Sequence, residues 1–181
     1  MRFDDIAYVS EFLRFGKYPA IHEPIFAMDK YLPVGNVLDV GCCTGLLSHR
    51  LATRHNLVLG IEPNGRYLEN AVKKSNVVYL KQAISIEELP NIRNAIQKYR
   101  INIAYCRRVF PEIYDTGGMN LVREFIRTLA ECGVKYVVLE GRKYSIKSVH
   151  KLCRIDLEVK CFEGFYKEIM RNADCSLLMQ E

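Results

Sequence analysis

The stretch that decides the fold is NVLDVGCCTG, Asn36 to Gly45. A short β-forming run carrying one acid, Asp39, enters a turn bounded by Gly41 and Gly45. The next ten residues, 46–55, put Leu46, Leu47, Leu51 and Ala52 on one helical face. Strand, glycine turn and helix in that order open an α/β unit in which the backbone comes close to a ligand. Cys42 and Cys43 fill the turn. The chain has seven cysteines, at 42, 43, 106, 132, 153, 161 and 175. None forms a CxxC pair and no histidine spacing suits zinc, so they read as reduced, mostly buried thiols of a cytoplasmic protein, with no metal site.

Working outward, β-rich runs alternate with helical patterns. LVLGIE (57–62), VVYLKQ (77–82), INIAYC (101–106) and VKYVVLE (134–140) read as further strands. Between them, Asn64 can cap a helix to about Lys74, and helices are expected over Glu87 to Tyr99 and Thr116 to Cys132, the latter closed by Gly133. Ser145 to Cys153 reads as another. Upstream, Phe3 to Phe15 is amphipathic and ends at Gly16, and Pro24 can start a short helix to Tyr31. Downstream, LEVKCF (157–162) and CSLLMQ (175–180) break the rhythm and read as a final antiparallel strand pair. Alternation of this kind predicts a Rossmann-like, doubly wound α/β sheet, mostly parallel, with helices on both faces.

At 181 residues the chain is expected to form one domain, with residues 1–33 as an N-terminal helical segment able to act as a lid and 34–181 as the core. There is no apolar run of bilayer length and no secretory leader pattern at the N-terminus. The formal charge of +5 permits an acidic substrate without demanding one.

A dinucleotide loop of the G-x-G-x-x-G type would need glycine at Cys43 and Leu46, so the spacing disfavours NAD. What stands is an acid two residues before Gly41, a closing Gly45, and Glu62 at the end of the next strand, about 20 residues on. On Asp39, Gly41, Gly45 and Glu62, and on the order of elements from 34 to 181, the chain resembles the class I S-adenosylmethionine-dependent methyltransferases. The resemblance implies about seven strands, the last inserted antiparallel beside the fifth, and S-adenosyl-L-methionine as cofactor. Cys43 stands where that family more often has a glycine. By the same resemblance Asp39 reaches the cofactor's amino group, Glu62 holds its ribose, and Gly41, Cys42, Cys43 and Gly45 line its methionine part. Ile61 and Pro63 flank the adenine, Gln82 and the amide of Ala83 meet its edge, and Cys106 ends the fourth strand beside it. The family more often has Asp at the position of Gln82.

The acceptor site is expected past the fourth and fifth strands. The (D/N)PP(Y/F), Pro-Cys and paired-acid signatures of three methyltransferase subclasses are absent from this chain. Arg107, Arg108, Arg142 and Lys143 are there instead, with Lys147, His150 and Lys151 following. Arginines in a cleft grip carboxylate or phosphate, which suits an anionic acceptor: a small metabolite, a nucleotide or a nucleic acid. The plainer alternative is solvated charge, with Arg107 or Arg108 paired to Glu112 or Asp115. His22 and His150 are the candidate bases, and Tyr8, Tyr18, His22 and Tyr31 candidate lid residues. A competing reading is a non-catalytic protein that binds the cofactor or its demethylated product and acts through interactions.

Overall fold

The computed structural model describes residues 23–141 and 154–181. The expected helices at Phe3–Phe15 and Ser145–Cys153 lie outside the described residues. So do Tyr8, Tyr18, His22, Arg142, Lys143, Lys147, His150, Lys151 and Cys153.

Seven strands form one sheet: β1 (Asn36–Val40), β2 (Leu57–Glu62), β3 (Val77–Lys81), β4 (Ile103–Arg107), β5 (Tyr136–Glu140), β6 (Tyr166–Asn172) and β7 (Cys175–Gln180). Their spatial order is β3-β2-β1-β4-β5-β7-β6. β1 to β5 pair in parallel, and β7 runs antiparallel to both β5 and β6. The reversal of strand order between β1 and β4 opens a crevice at their carboxyl ends, where ligands bind in sheets of this kind. Helices α1 (Leu46–Leu51), α2 (Gly65–Glu69), α3 (Leu89–Lys98), α4 (Phe110–Glu131) and α5 (Ile155–Cys161) make the connections. Among the described residues no helix is long and apolar enough to cross a membrane.

Both faces of the sheet are covered, which explains the nearly continuous apolar strands. On one face, Leu38, Val40, Leu59, Ile61, Ala104, Cys106, Val137 and Leu139 pack against α3, α4 and α5. Phe110, Phe162 and Tyr166 meet there edge to face, with ring centroids 5.4 and 5.6 Å apart. On the other face Val37, Val58, Ile103, Tyr105 and Val138 pack against Leu47 and Leu51 of α1 and against Ile25, Met28 and Leu32.

The segment 23–32 is therefore part of the core. Asp29, 1% exposed, takes hydrogen bonds from Tyr105 (2.5 Å) and His55 (2.7 Å), while the Gly35 amide donates to His55 Nδ1. That donation leaves His55 Nε2 as the nitrogen that donates to Asp29, so His55 bridges the Gly35 amide and the Asp29 carboxylate. Arg54, after α1, donates to the backbone oxygens of Asp29 and Leu32. Those bonds hold Tyr31 by the α1–β2 turn at the amino-terminal edge of the sheet, and its ring is exposed.

Three expectations need correction. The antiparallel C-terminal pair exists, but its first member is Tyr166–Asn172, and LEVKCF lies in helix α5. Leu157 to Phe162 alternates like a strand, yet the residues that are buried, Ile155, Glu158 and Phe162, with Val159 packed against the core beside them, are spaced three and four apart. Leu157 points outward instead. Helix α4 begins at Phe110, not Thr116, because Gly117 (φ −147°) and Gly118 (φ 65°) kink it and mask its first turns in the pattern. Other helices run shorter than expected, α1 ending at Leu51 and α2 at Glu69.

Candidate functional site

The loop after β1 alternates into left-handed backbone at Gly41 (φ 69°), Cys43 (φ 51°) and Gly45 (φ 71°). The cysteine thus adopts the conformation that a glycine would take without strain. At Gly45 a side chain is also excluded by contact. An added Cβ would sit 2.0 Å from the Tyr79 hydroxyl oxygen. Tyr79 pairs with Gly60 across β2–β3 and donates to Val72 O at 2.8 Å, so its ring lies over Gly60 and beside the loop. An isolated glycine in the strand LVLGIE is the sequence signal for this close approach.

The loop is tied down by its own amides. Gly41 and Cys42 donate to Ile61 O at 2.9 and 3.0 Å. Cys43 N donates to Glu62 Oε2 at 3.1 Å, and Asn64 N to Glu62 Oε1 at 3.0 Å. Both Glu62 oxygens are therefore oriented by neutral backbone donors, and each keeps a lone pair for a further bond. Burial raises the Glu62 pKa above the usual carboxylate range, against the two amide bonds.

Asp39 is fully buried beneath the loop and accepts a 2.5 Å bond from Ser48 on α1. Burial pushes its carboxyl up to about 6, while Ser48 and the Arg107 guanidinium pull it down and the charge of Glu62 adds to the rise. Ser48 escaped the sequence reading. Its only sign there is a polar residue between Leu47 and Leu51, inside the buried face of α1.

Cys42 is buried, its sulfur packed where a Gly60 Cβ would lie. Cys43 is half-buried and burial raises its thiol to about 11, well away from a reactive thiolate. Cys106 is fully buried among the residues facing α3 to α5, so only its backbone reaches the strand end. Ile61 is buried on that same face, leaving exposed Pro63 as the apolar group that flanks Glu62 in the crevice.

Gln82 follows β3 and donates its amide to Glu62 O at 3.1 Å, so it stands one strand beyond the carboxylate. Its side-chain Nε2 lies 2.6 Å from Glu88 Oε2 and 3.4 Å from Ala83 O.

On the other side of the crevice, Arg107 and Arg108 meet Glu140, with N–O distances of 3.0 and 2.7 Å. Arg108 takes a left-handed φ of 56° and its amide donates to Glu140 O at 2.7 Å. Glu140 is 1% exposed, so this three-charge group carries one net positive charge at the crevice wall. Glu140, across the β4–β5 pair, is thus a partner shared by both arginines.

Two buried carboxylates, Asp39 and Glu62, under a glycine loop are a poor seat for a pyrophosphate and a good one for a ligand carrying an ammonium and a ribose. The residues present fit S-adenosylmethionine in that sense. Among the described residues no cluster of histidine, cysteine or acids could hold a metal ion.

No protein-family model matches the sequence, and no curated protein matches it. Solved structures do. The N-methyltransferase NodS from Bradyrhizobium japonicum WM9 superposes with a TM-score of 0.67 at 13% identity, over 92% of this chain and 97% of that one. The same enzyme in complex with S-adenosyl-L-homocysteine gives 0.63 at 15% identity, over 93% and 87%. Monomeric WbdD gives 0.58 at 17% identity, over 90% of this chain and 40% of that longer one. At these identities the likeness shows the fold, the Rossmann-like fold of these methyltransferases.

Proposed function

We propose that this chain is a cytoplasmic S-adenosylmethionine-dependent methyltransferase acting on an anionic acceptor. The observation that carries the cofactor half is Glu62, a buried carboxylate oriented by the amides of Cys43 and Asn64 with lone pairs to spare. A carboxylate so placed takes both hydroxyls of a ribose. Asp39, one strand over, offers a buried negative charge to an ammonium group, and Gln82 offers an amide to the base.

The cofactor supplies a methyl group on a sulfonium, a leaving group that needs no activation. What the chain must add is in-line positioning and exclusion of water. The loop 41–45 fixes the ligand's position because its amides are locked onto β2. The net positive group of Arg107, Arg108 and Glu140 lines the opposite wall and would hold a carboxylate or phosphate of the acceptor. Arg142, Lys143, His22 and His150 keep the roles expected of them as acceptor ligands and bases.

Thermal unfolding tests the cofactor half. S-adenosyl-L-homocysteine at a hundred times its Kd should add about 2.7 kcal/mol of stability, while NAD should add nothing. No shift at millimolar concentration would sink the reading. A transfer assay with labelled cofactor against RNA, nucleotides and acidic metabolites then tests the acceptor half. Binding without transfer to any of them would favour the non-catalytic alternative.

A further inference from the structure

We propose that Glu88 is a positioning residue that fixes which end of the Gln82 amide faces the base, and so makes the site selective for a 6-amino over a 6-oxo purine. This rests on the cofactor reading above.

A glutamine amide has a donor end and an acceptor end of nearly equal size, and left alone it can offer either. Here the choice is made by chemistry. An ionised carboxylate only accepts, so the Gln82 atom 2.6 Å from Glu88 Oε2 must be the amino nitrogen. Asn91 Nδ2 donates to the same oxygen at 2.7 Å and holds the carboxylate in place. These two bonds also keep Glu88 ionised, holding its pKa below the usual range. The remaining Gln82 N–H points toward Ala83 O at 3.4 Å. Both donors of the amide are thus directed at protein acceptors. No described residue donates to Gln82 Oε1, which is left as the group to offer.

Position decides what Oε1 meets. Gln82 stands one strand, about 4.8 Å, beyond the β2 end that carries Glu62. With a ribose on Glu62, a base attached to its C1′ extends over the neighbouring strand end. An adenine edge there presents N6–H₂, which Oε1 accepts. A hypoxanthine edge presents a carbonyl oxygen, which Oε1 repels. Where an aspartate would accept with either oxygen, this chain uses a glutamine whose orientation is set by Glu88 at the entry of α3.

The test is calorimetric titration of the purified protein with S-adenosyl-L-homocysteine and with its 6-oxo analogue, S-inosyl-L-homocysteine. The wild type should prefer the adenosyl compound by about thirtyfold or more. Glu88→Ala and the isosteric Glu88→Gln, which free the Gln82 amide to turn over, should each cut that ratio about tenfold with melting temperature unchanged. Adding Gln82→Asp to Glu88→Ala should restore the ratio, since both aspartate oxygens accept. A ratio unaltered in both Glu88 variants, or no discrimination by the wild type, would overturn the proposal while leaving the cofactor reading intact. A wild type that binds neither compound would overturn both.

Discussion

Glu62 and Glu140 end two strands of the same sheet, one on each side of the crevice, and both are buried. Their partners differ. Glu62 is held by two neutral amides and keeps its negative charge for a ligand. Glu140 is held by two guanidinium groups and its charge is more than cancelled. The same residue type at equivalent places thus gives an acidic wall on the β1–β3 side and a basic wall on the β4–β5 side. A donor that carries charge spends the carboxylate, and a donor that carries none aims it. The acidic wall suits a cationic cofactor and the basic wall an anionic acceptor, so opposite ligands would be drawn to opposite sides of one cleft.

The largest test of this contrast is on the basic side. Arg107→Ala/Arg108→Ala would strand Glu140 as a buried, unpaired charge and should cost about 3–5 kcal/mol of stability in urea unfolding. Adding Glu140→Gln should recover most of that. Wild-type stability in the double arginine variant would show that Glu140 does not need its partners. Next, Glu62→Ala should weaken S-adenosyl-L-homocysteine binding by about 2–3 kcal/mol, roughly 30- to 150-fold, in a protein that still folds but melts lower because the Cys43 and Asn64 amides lose their acceptor. Affinity within twofold of wild type would place the ribose elsewhere.

A smaller effect follows from Asp39. Its folded pKa of about 6 lies above that of a free carboxyl, so the neutral form favours the ligand-free fold at low pH. That contribution is lost as pH rises through about 6. An ammonium beside Asp39 reverses the preference, because it favours the carboxylate. Affinity for S-adenosyl-L-homocysteine should therefore rise about tenfold between pH 5 and pH 7 and then level off, and Asp39→Asn should flatten the profile. An unchanged slope in Asp39→Asn would assign the titration to another group. Smallest of all, Cys43→Gly should relieve left-handed strain at φ 51° and add about 0.5–1 kcal/mol of stability without loss of binding. A destabilised variant would mean that the thiol's packing outweighs the backbone strain.

The parallel part of the sheet was legible because strands buried on both faces read as short apolar runs whatever lies around them. The C-terminal pair was not fully so. A six-residue run such as LEVKCF satisfies both periods, and only the packing of Phe162 against Phe110 selects the helix. In the site, Asp39, Gly41, Gly45 and Glu62 were legible because their spacing is local to one strand–turn–helix unit and the strand that follows. Tyr79 showed only as the strand glycine Gly60 that makes room for it. Ser48 and Glu88 left almost no trace, since each acts by turning another side chain, a matter of rotamer and not of pattern. The arginine pair was visible, but its partner depends on β4 lying beside β5, which joins residues 33 apart in the chain.

By itself, then, the sequence determined the alternation of strands and helices, the glycine turn and the acids that flank it. All of these follow from periodicity and from backbone conformations that only certain residues adopt easily. Which carboxylate keeps its charge free for a ligand and which has it cancelled by cations was decided only by the tertiary structure. Burial and the identity of the donor set that outcome, and both are properties of the neighbours a folded sheet brings together.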